Sequence, residues 1–457
     1  MNRRTFIRQA GAALTGAALS GAVPTGAALA SVAPAWADTV PDVKLEIAPL
    51  ALEIAPGKVV HTVGYNGRVP GPLIRWPEGK PIVIDVLNRT AIPEIVHWHG
   101  LWIPSDIDGA AEEASPMIAP GAQLRYLFTP QPSGFRWYHT HTFAGHDLKR
   151  ATYAGEFGCF YVEPQGDPGA YDQEIFLTLH DWNAYMGAGG DSSMEATYDY
   201  ATIDGRMLGF ADPIRVREGQ RVLLHLLNAS ASMMHWLALA GHELTVIAMD
   251  GNPVPRPTAV HAVRLAPAER IDAVVSMNQP GVWILGETRN QMRKMGMGIV
   301  VEYANQTGVP RWIEPPETLW NYRPFALSQA ATHEPDEIIP LRFESKFHGQ
   351  GAFDSWTING KSFPDTDTIA LRQGRRYRLR MTNHSTDDHP LHLHRHTFEV
   401  TNLDGQPLSG LNKDVLVVPA NTTAEVDFTA NNPGPTLFHC HNQTHMDFGF
   451  MMLFKYA

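Results

Sequence analysis

The residues with the clearest chemical meaning form a short run near the end of the chain, His439-Cys440-His441, with His445 four residues further on. In an extended strand, successive side chains point to opposite faces, so Cys440 would face one way and the two flanking histidines the other. A thiolate suits a copper ion that exchanges single electrons, and paired imidazoles suit copper ions that handle oxygen. The run therefore predicts a covalent link between two different metal sites.

Three further clusters contain histidines separated by one residue, which an extended strand places on the same face. They are His97-Trp98-His99, His139-Thr140-His141 and His389-Pro390-Leu391-His392-Leu393-His394. Ten of the 21 histidines fall in the four clusters. Isolated histidines such as His61, His180, His261 and His348 are typical of hydrogen-bonded structural roles. The clustered histidines instead indicate metal ligands.

The four clusters, two early in the chain and two late, resemble the copper-binding motifs of the multicopper oxidases, the family of laccases, ascorbate oxidase, bilirubin oxidase and bacterial copper-efflux oxidases. The resemblance implies four copper ions: one of type 1, one of type 2 and two of type 3. It implies type 1 ligands at His389, Cys440 and His445, and type 2 ligands at His97 and His392. It also implies that one type 3 copper is held by His99, His139 and His441, and the other by His141, His394 and His439.

The same resemblance suggests roles for two residues that are not ligands. Ten residues after the cysteine, at the axial position of the type 1 copper, stands Phe450, which cannot coordinate and would leave a three-coordinate, oxidising copper. Two methionines follow it directly, so the register is open. Asp108, eleven residues after His97, would supply protons beside the oxygen-reducing cluster. Some bacterial relatives carry an acid directly after the last type 1 histidine, but here that residue is Met446.

An internal repeat predicts the elements that must position these residues. Turn sequences at Asn66-Gly67, Asp204-Gly205 and Asn359-Gly360 are each followed by an extended apolar run, and the runs end at Asn88, Asn228 and Asn383. Frequent glycine and proline, short strand candidates and no sustained helical periodicity are typical of Greek-key β-sandwiches. The chain is therefore predicted to be all-β with three sandwich domains, and the family resemblance identifies these as cupredoxin-like.

We expect an export signal over residues 1–37, a first cupredoxin domain over 38–165, a second over 166–305, a Pro-rich linker over 306–340 and a third domain over 341–457. The second domain has His235-Trp236 where the others have His-x-His pairs, and its closing strand has no histidine. It is therefore predicted to bind no copper and to act as a connector. The oxygen-reducing cluster must then be shared between the first and third domains.

The N-terminal segment is typical of an export signal. Arg3-Arg4 precedes an apolar run from Ala10 to Ala30, and Ala35-Trp36-Ala37 fits cleavage after Ala37. The twin arginine indicates the twin-arginine export machinery and a periplasmic or secreted location, with a plain secretory signal as the alternative. No later stretch suits a membrane-spanning helix. Cleavage would remove three of the 36 basic residues and none of the 47 acidic ones, so the net charge would change from −11 to −14. This charge argues against nucleic acid and anionic membranes as partners.

Length and cysteine usage add two expectations. A chain of 457 residues with 18% charged residues is long enough for about three globular domains. The chain has two cysteines, and because Cys440 is assigned to copper, Cys159 has no partner for a disulfide. Cys159 lies in the apolar run from Gly158 to Val162 and is predicted to be a buried apolar residue.

The family resemblance implies an enzyme that takes electrons singly from a reductant and reduces dioxygen to water. A laccase for phenols or aromatic amines is favoured over a copper-tolerance oxidase for Cu(I), because the densest methionine group, from Met292 to Met297, is short. Methionine pairs such as Met233-Met234 are typical of core packing. A copper nitrite reductase is disfavoured by the His-Cys-His run. A copper-binding envelope protein without enzymatic activity is a further alternative.

Overall fold

Strands dominate the protein, as its short apolar runs and turn residues predict. The computed structural model describes residues 39–166, 169–186, 196–317, 319–331, 333–348 and 354–457, so the predicted export signal lies outside the described residues. We number strands, α-helices and 3-10 helices (η) in chain order. The strands form three pairs of sheets, and each pair encloses an apolar core. The prediction of three cupredoxin-like sandwiches is confirmed.

The first pair of sheets carries two of the four histidine clusters. Its elements are β1 (Val43–Ala55), β2 (Lys58–Tyr65), β3 (Ile74–Pro77), β4 (Ile82–Asn88), β5 (Val96–His99), η1 (Ala111–Glu113), β6 (Gln123–Phe128), β7 (Gly134–Thr140), η2 (Ala151–Tyr153) and β8 (Phe157–Glu163). One sheet has the order β2-β1-β4-β6 and the other β3-β8-β7-β5. Trp98, Tyr126 and Phe160 pack in the core between them.

The second pair of sheets forms the middle of the chain. Its elements are β9 (Gln173–Trp182), β10 (Tyr185–Met186), β11 (Ala196–Thr197), β12 (Tyr200–Ile203), β13 (Ile214–Val216), β14 (Arg221–Asn228), β15 (His235–Leu239), β16 (Leu244–Met249), β17 (Asn252–Val260), β18 (Val263–Leu265), β19 (Arg270–Ser276), β20 (Val282–Glu287), α1 (Asn290–Met295) and β21 (Gly298–Tyr303). The sheet orders are β12-β9-β14-β19-β16-β17 and β13-β21-β20-β15-β18, and β10 and β11 form a separate two-stranded sheet.

The third pair of sheets carries the remaining clusters. Its elements, preceded by η3 (Arg323–Phe325), are β22 (Glu337–Lys346), β23 (Ser355–Ile358), β24 (Ile369–Leu371), β25 (Arg376–Asn383), β26 (His389–Leu393), β27 (Phe398–Leu403), β28 (Gln406–Lys413), β29 (Val415–Val418), β30 (Thr423–Thr429), β31 (Thr436–Cys440), α2 (Gln443–Asp447) and β32 (Met451–Tyr456). The sheet orders β23-β22-β25-β30-β27-β28 and β24-β32-β31-β26-β29 repeat those of the second pair strand for strand.

In each of the three domains, one asparagine ends the repeated strand and makes the same kind of hydrogen bonds. Asn88, Asn228 and Asn383 are the last residues of β4, β14 and β25. Each side-chain amide is buried and donates to at least two main-chain carbonyls, one of them four or five residues further along the chain. These bonds fix the loop that leads into the strand with the histidines. The asparagines of the sequence repeat thus mark the loops that position the strands with the candidate ligands.

Candidate metal centre

Three donor atoms meet in what we call the mononuclear pocket, formed by His389, Cys440 and His445. His389 begins β26, Cys440 ends the neighbouring strand β31, and His445 lies in α2. The Cys440 Sγ atom is 3.7 Å from His389 Nδ1 and 3.5 Å from His445 Nδ1, and the two nitrogens are 3.1 Å apart. Metal bonds to nitrogen and sulfur are about 2.0 to 2.3 Å long, so atoms at these separations fit around one ion. Two imidazoles and a thiolate suit an electron-transferring copper.

Local sequence and aromatic rings hold the mononuclear pocket in shape. Asn442 caps α2 by accepting a hydrogen bond from Thr444 N, which fixes the helix turn that carries His445. The Phe450 ring centroid lies 4.7 Å from that of His389, and Trp356 lies 3.9 Å from His445. Neither ring offers a lone pair to a metal ion. Phe450 therefore lies beside the pocket, against the His389 ring.

The chemistry of the buried thiol also fits a metal ion. Burial raises the pKa of Cys440. A thiolate therefore forms here only when a cation lies beside it, which a bound metal ion would provide. Burial lowers the pKa of His445 to about 3, so its imidazole stays neutral and able to bind.

Eight further histidines form what we call the histidine cluster, contributed equally by the first and third domains. Strand pairing sets its centre, because His97 lies opposite His139 across β5 and β7, and His392 lies opposite His439 across β26 and β31. A second histidine follows each of these after one intervening residue: His99, His141, His394 and His441. All eight are buried. The predicted sharing of one cluster between two domains therefore matches the positions of these side chains.

Distances within the histidine cluster bring the predicted ligand sets together. His439 Nε2 lies 3.4 Å from His141 Nε2 and 3.0 Å from His394 Nε2. His99 Nδ1 lies 3.4 Å from His139 Nε2. These separations fit donors of a shared metal ion in the same way as those of the mononuclear pocket.

The remaining two predicted sets are also close. His97 and His392 belong to one group with His394 in which the donor atoms lie within 4.8 Å of one another. The ring centroid of His441 lies 5.3 Å from that of His99 and 5.2 Å from that of His139. None of the ten predicted histidines, nor the cysteine, lies away from the two sites.

Hydrogen bonds fix which ring nitrogen faces the interior of the cluster. The Nδ1 atoms of His97 and His392 donate to the main-chain carbonyls of Asp108 and Asp414 at 2.9 and 2.8 Å. A carbonyl only accepts, so the proton must be on Nδ1 and the lone pair on Nε2. Those two Nε2 atoms, although buried, have no hydrogen-bond partner in the described part of the chain. Unpartnered lone pairs that converge in this way are what a metal site provides.

Burial keeps the cluster imidazoles neutral. It lowers the pKa of His99, His139, His394, His439 and His441 well below the ordinary value, and repulsion between neighbouring rings lowers it further. Neutral imidazole is the form that binds metal ions, so the cluster is prepared to bind without first losing protons.

Two buried carboxyl groups lie beside the cluster. Asp108 Oδ2 accepts from His394 Nδ1 at 2.8 Å and lies 3.1 Å from His97 Nδ1. Glu113 Oε1 lies 3.4 Å from the same His394 nitrogen and accepts from Leu437 N. Burial and then the Asp108 charge raise the pKa of Glu113. Asp108 was predicted from the sequence, whereas Glu113 was missed because Glu112-Glu113 resembles an ordinary solvated pair.

Asp414 is a third acidic residue beside the cluster, and like Glu113 it was missed from the sequence. Its Oδ1 accepts from His99 Nε2 at 3.2 Å, and its carbonyl accepts from His392 Nδ1. Asp414 lies between β28 and β29 in a stretch without any motif. The only available signal is an acid next to Lys413 between two apolar strands, which does not distinguish it from a turn residue.

The second domain has a counterpart of the mononuclear pocket, which we call the second-domain pocket. His235 Nε2 lies 2.9 Å from Asp181 Oδ2, and His235 Nδ1 lies 3.1 Å from Glu287 Oε2. Burial opposes the charged imidazole, but the Asp181 and Glu287 carboxylates outweigh it and raise the pKa of His235 to about 9. A protonated imidazole has no lone pair for a metal ion. This geometry agrees with the predicted hydrogen-bonded role of His235.

Cys159 is buried among Trp137, Phe157 and Tyr161, as its apolar neighbours predicted. Among the described residues, helices are too short or too polar to cross a membrane.

Comparisons with known proteins agree with this geometry. Models of the multicopper oxidase family match residues 48–167, 173–305 and 339–457. Over 443 residues the chain is 30% identical to multicopper oxidase MmcO of Mycobacterium tuberculosis, with 88% of this chain and 84% of that protein covered. It is 25% identical over 513 residues to laccase-3 of Thanatephorus cucumeris, covering 86% of each chain.

Two further relatives extend the comparison. Copper resistance protein A of Escherichia coli is 23% identical over 603 residues, covering 98% of each chain. Among solved structures, a multicopper oxidase from Pseudomonas thermotolerans superposes with a TM-score of 0.72 at 26% identity, covering 91% of this chain and 98% of that one.

Proposed function

Because this chain belongs to the multicopper oxidase family, and is thus an oxidase that uses dioxygen, we propose that it is a laccase-like enzyme that oxidises phenols or aromatic amines one electron at a time and reduces dioxygen to water. The observation that carries this proposal is the pair of buried donor sets, a mononuclear pocket and a histidine cluster, joined through His439-Cys440-His441 at the end of β31. Copper bound at these residues would supply the electron-transfer and oxygen-reducing chemistry.

We propose that four copper ions bind in the family arrangement. His389, Cys440 and His445 would hold the type 1 ion, and His97 and His392 the type 2 ion. His99, His139 and His441 would hold one type 3 ion, and His141, His394 and His439 the other. The donor separations of 3.0 to 3.7 Å and the unpartnered Nε2 atoms support this assignment.

Cys440 is proposed to connect the two sites. Its thiol belongs to the mononuclear pocket, whereas the residues on either side of it belong to the histidine cluster. An electron taken from a reductant near one site can therefore reach the other through a few covalent bonds, and the reductant need not approach the oxygen-reducing cluster. Burial of all eight cluster histidines supports a site from which partly reduced oxygen does not escape.

Phe450 is proposed to occupy the axial position of the type 1 site without coordinating. The contact of its ring with His389 supports this assignment over Met451, which packs with Ala110 and Leu437 instead. A copper without an axial donor would have a relatively high reduction potential.

Asp108 is proposed to hold and deliver protons at the histidine cluster. Its Oδ2 bonds to His394 Nδ1, and its Oδ1 is buried without a hydrogen-bond partner among the described residues. General acid catalysis typically contributes about 100-fold or more, so an Asp108→Asn enzyme should lose oxygen turnover by that factor. The exposed neighbour Asp106→Asn is the matched control. Unchanged oxygen turnover in Asp108→Asn would contradict the role.

The choice of reductant rests on the methionines. Met292 and Met297 are buried in the second-domain core, and Met233, Met234 and Met295 pack against it. This arrangement supports core packing over a surface that captures Cu(I). Oxidation of Cu(I) for copper tolerance is the second candidate, because one relative is named a copper resistance protein.

The domain boundaries and the cellular location are proposals as well. We propose the boundaries given by the sequence, and the family matches at 48–167, 173–305 and 339–457 support three units. We propose export through the twin-arginine route to the periplasm or beyond, which Arg3-Arg4 supports. An Arg3→Lys, Arg4→Lys double variant should remain inside the cell, and export of that variant would contradict the route.

Oxygen uptake by the copper-loaded protein tests the proposed function. With a dimethoxyphenol as reductant, uptake should match or exceed that with Cu(I). A strong preference for Cu(I) would favour the copper-tolerance oxidase. Absence of uptake with either reductant, in protein that holds its copper, would contradict both.

A further inference from the structure

A buried arginine lies where the three domains meet. Arg270, the first residue of β19 in the second domain, donates from Nη1 to Asp414 Oδ1 and from Nη2 to Asp414 Oδ2, both at 2.6 Å. Its Nε donates to Phe135 O of the first domain at 3.3 Å, and its Nη2 also donates to Asp250 O. The guanidinium is fully buried. The planar guanidinium donates to residues of all three domains, and these hydrogen bonds hold it in one orientation.

Asp414 connects this arginine to two candidate copper ligands. Its Oδ1 accepts from His99 Nε2, and its main-chain carbonyl accepts from His392 Nδ1. A carboxylate held by two arginine donors only accepts, so the His99 proton must be on Nε2. The free lone pair is then on Nδ1, the atom that lies 3.4 Å from His139 Nε2. His99 thus presents Nδ1 to the cluster, whereas His97 and His392 present Nε2.

The second domain also holds the main chain of Asp414. Asp250 Oδ2 accepts from the main-chain nitrogens of Asp414 and Val415 at 3.3 and 3.1 Å, and from Lys413 Nζ at 2.9 Å. Both Asp250 and Lys413 are buried. The side chain and the main chain of Asp414 are therefore fixed by two residues of a domain that contributes no predicted copper ligand.

Asp414 itself lies close enough to His99 and His392 to form a group with donor atoms within 4.8 Å. Its two oxygens are, however, both bonded to Arg270 at 2.6 Å. The carboxylate is thus neutralised by the guanidinium and oriented toward the ring of His99. This arrangement suits a residue that orients a ligand better than one that binds the metal itself.

We propose that Arg270 of the second domain is a positioning residue for the histidine cluster: it holds Asp414, which fixes His99 in the tautomer that offers Nδ1 to copper. The proposal rests on the proposed function, because it takes His99 as a type 3 ligand. It gives the second domain a role beyond that of a connector. Docking of that domain completes the set of hydrogen bonds that prepares the cluster for copper.

The test uses two variants and one control in the full-length, copper-loaded protein. Arg270→Lys keeps the positive charge and removes the two-pronged contact, and Asp414→Asn keeps the shape and removes one acceptor. Arg264→Lys is the control, because Arg264 is also a buried arginine of the second domain but donates to the Tyr322 hydroxyl. Copper per chain, the blue absorption of type 1 copper and the paramagnetic resonance of type 2 copper are measured during dialysis against a chelator. The His99 tautomer is measured by ¹⁵N resonance of the metal-free protein.

Loss of an orienting partner typically weakens metal binding about 10- to 100-fold. Both variants should therefore release cluster copper at chelator concentrations about 10- to 100-fold lower than those needed for the wild-type protein. Both should keep the type 1 absorption. In both, the His99 proton should no longer be confined to Nε2. The control should match wild type. Cluster copper and a His99 tautomer unchanged in both variants would overturn the proposal. The proposal would also be overturned if type 1 copper and cluster copper were lost together, because that result would indicate that Arg270 and Asp414 contribute to folding alone. Failure of wild type itself to bind cluster copper would instead contradict the proposed function.

Discussion

The mononuclear pocket and the second-domain pocket share one backbone framework and differ in chemistry. His389 begins β26 and His235 begins β15. Two residues after each histidine, the strand pairs with an antiparallel neighbour, at Cys440 of β31 in the third domain and at Glu287 of β20 in the second. Each ring has a serine beside it: Ser385 Oγ lies 2.8 Å from His389 Nε2, and Ser230 Oγ lies 3.2 Å from His235 Nε2.

The remaining neighbours of each imidazole decide its charge. In the third domain, burial and then the nearby His445 ring lower the pKa of His389, and the ring is neutral. In the second domain, Asp181 and Glu287 overcome burial and raise the pKa of His235 to about 9. One fold position can therefore hold either a metal ligand or the cation of an ion-pair network. The fold supplies the position, and the adjacent donor supplies the function.

Of the changes that distinguish the two pockets, removal of the Cys440 thiol should have the largest effect. A Cys440→Ser protein should lose the blue absorption entirely and oxidise phenols only at background rates, because a hydroxyl is a poor ligand for an electron-transferring copper. Cys159→Ala is the control, since that thiol packs in an apolar cluster, and it should keep both properties. Absorption spectra and oxygen uptake measure the outcome. Retained blue colour in Cys440→Ser would refute the assignment of the mononuclear pocket.

Removal of Glu287, which takes the place of Cys440 in the second domain, should lower the free energy of unfolding and leave the copper content unchanged. Glu287 is buried and accepts from His235 Nδ1, Trp236 N and Arg289. Breaking a buried charge pair by removing one partner costs about 3 to 5 kcal/mol, so Glu287→Ala should lose that much free energy of unfolding. Denaturant titration of the metal-free protein measures it. The control Glu302→Ala removes a 3.9 Å pair with the exposed Arg215 and should change stability by no more than about 0.5 kcal/mol.

The charge on His235 should make its contribution to stability depend on pH. Its folded pKa of about 9 lies above the unfolded value of about 6.5, so the stabilisation is complete below pH ~6.5 and is lost as the pH rises through 9. The difference in unfolding free energy between wild type and His235→Gln, both metal-free, should be a few kcal/mol at pH 6 and should shrink toward pH 10. His225, whose pKa is also raised to about 9, is present in both proteins and cancels. A difference that stays constant with pH would mean that His235 is neutral.

The smallest expected effect concerns the axial position of the mononuclear pocket. Phe450→Met would place a thioether beside the copper and should lower its reduction potential by tens of millivolts, where about 59 mV is a tenfold change for one electron. Phe450→Leu, which adds no donor, should leave the potential close to wild type. Spectroelectrochemical titration compares the three proteins. An unchanged potential in Phe450→Met would mean that another residue occupies the axial position.

Much of the fold follows from local sequence patterns. The last residues of β4, β14 and β25 are the three asparagines of the sequence repeat, and Tyr377, Leu379 and Met381 are buried at alternate positions along β25, which matches strand periodicity. The histidine clusters were equally readable, because strand periodicity alone places alternate residues on one face. Such features depend on neighbours within a few residues, which a sequence displays directly.

The parts of the site that the sequence does not reveal depend on distant contacts. Asp414 reaches His99 across 315 residues and Arg270 across 144, and no motif joins the three. Trp356 contacts His445 only because β23 and α2 pack together. Such contacts follow from how the domains dock, and the spacing of residues within one domain carries no information about docking. The residues proposed to orient the ligands were therefore missed from the sequence, whereas the candidate ligands themselves were predicted from it.

Anomalous diffraction at the copper edge, from crystals of the copper-loaded protein, tests the comparison most directly. The account predicts four copper peaks in each chain, one between His389, Cys440 and His445, three among the eight clustered histidines, and none between His235 and Glu287. A copper peak in the second-domain pocket, or a histidine cluster without copper beside an occupied mononuclear pocket, would contradict it.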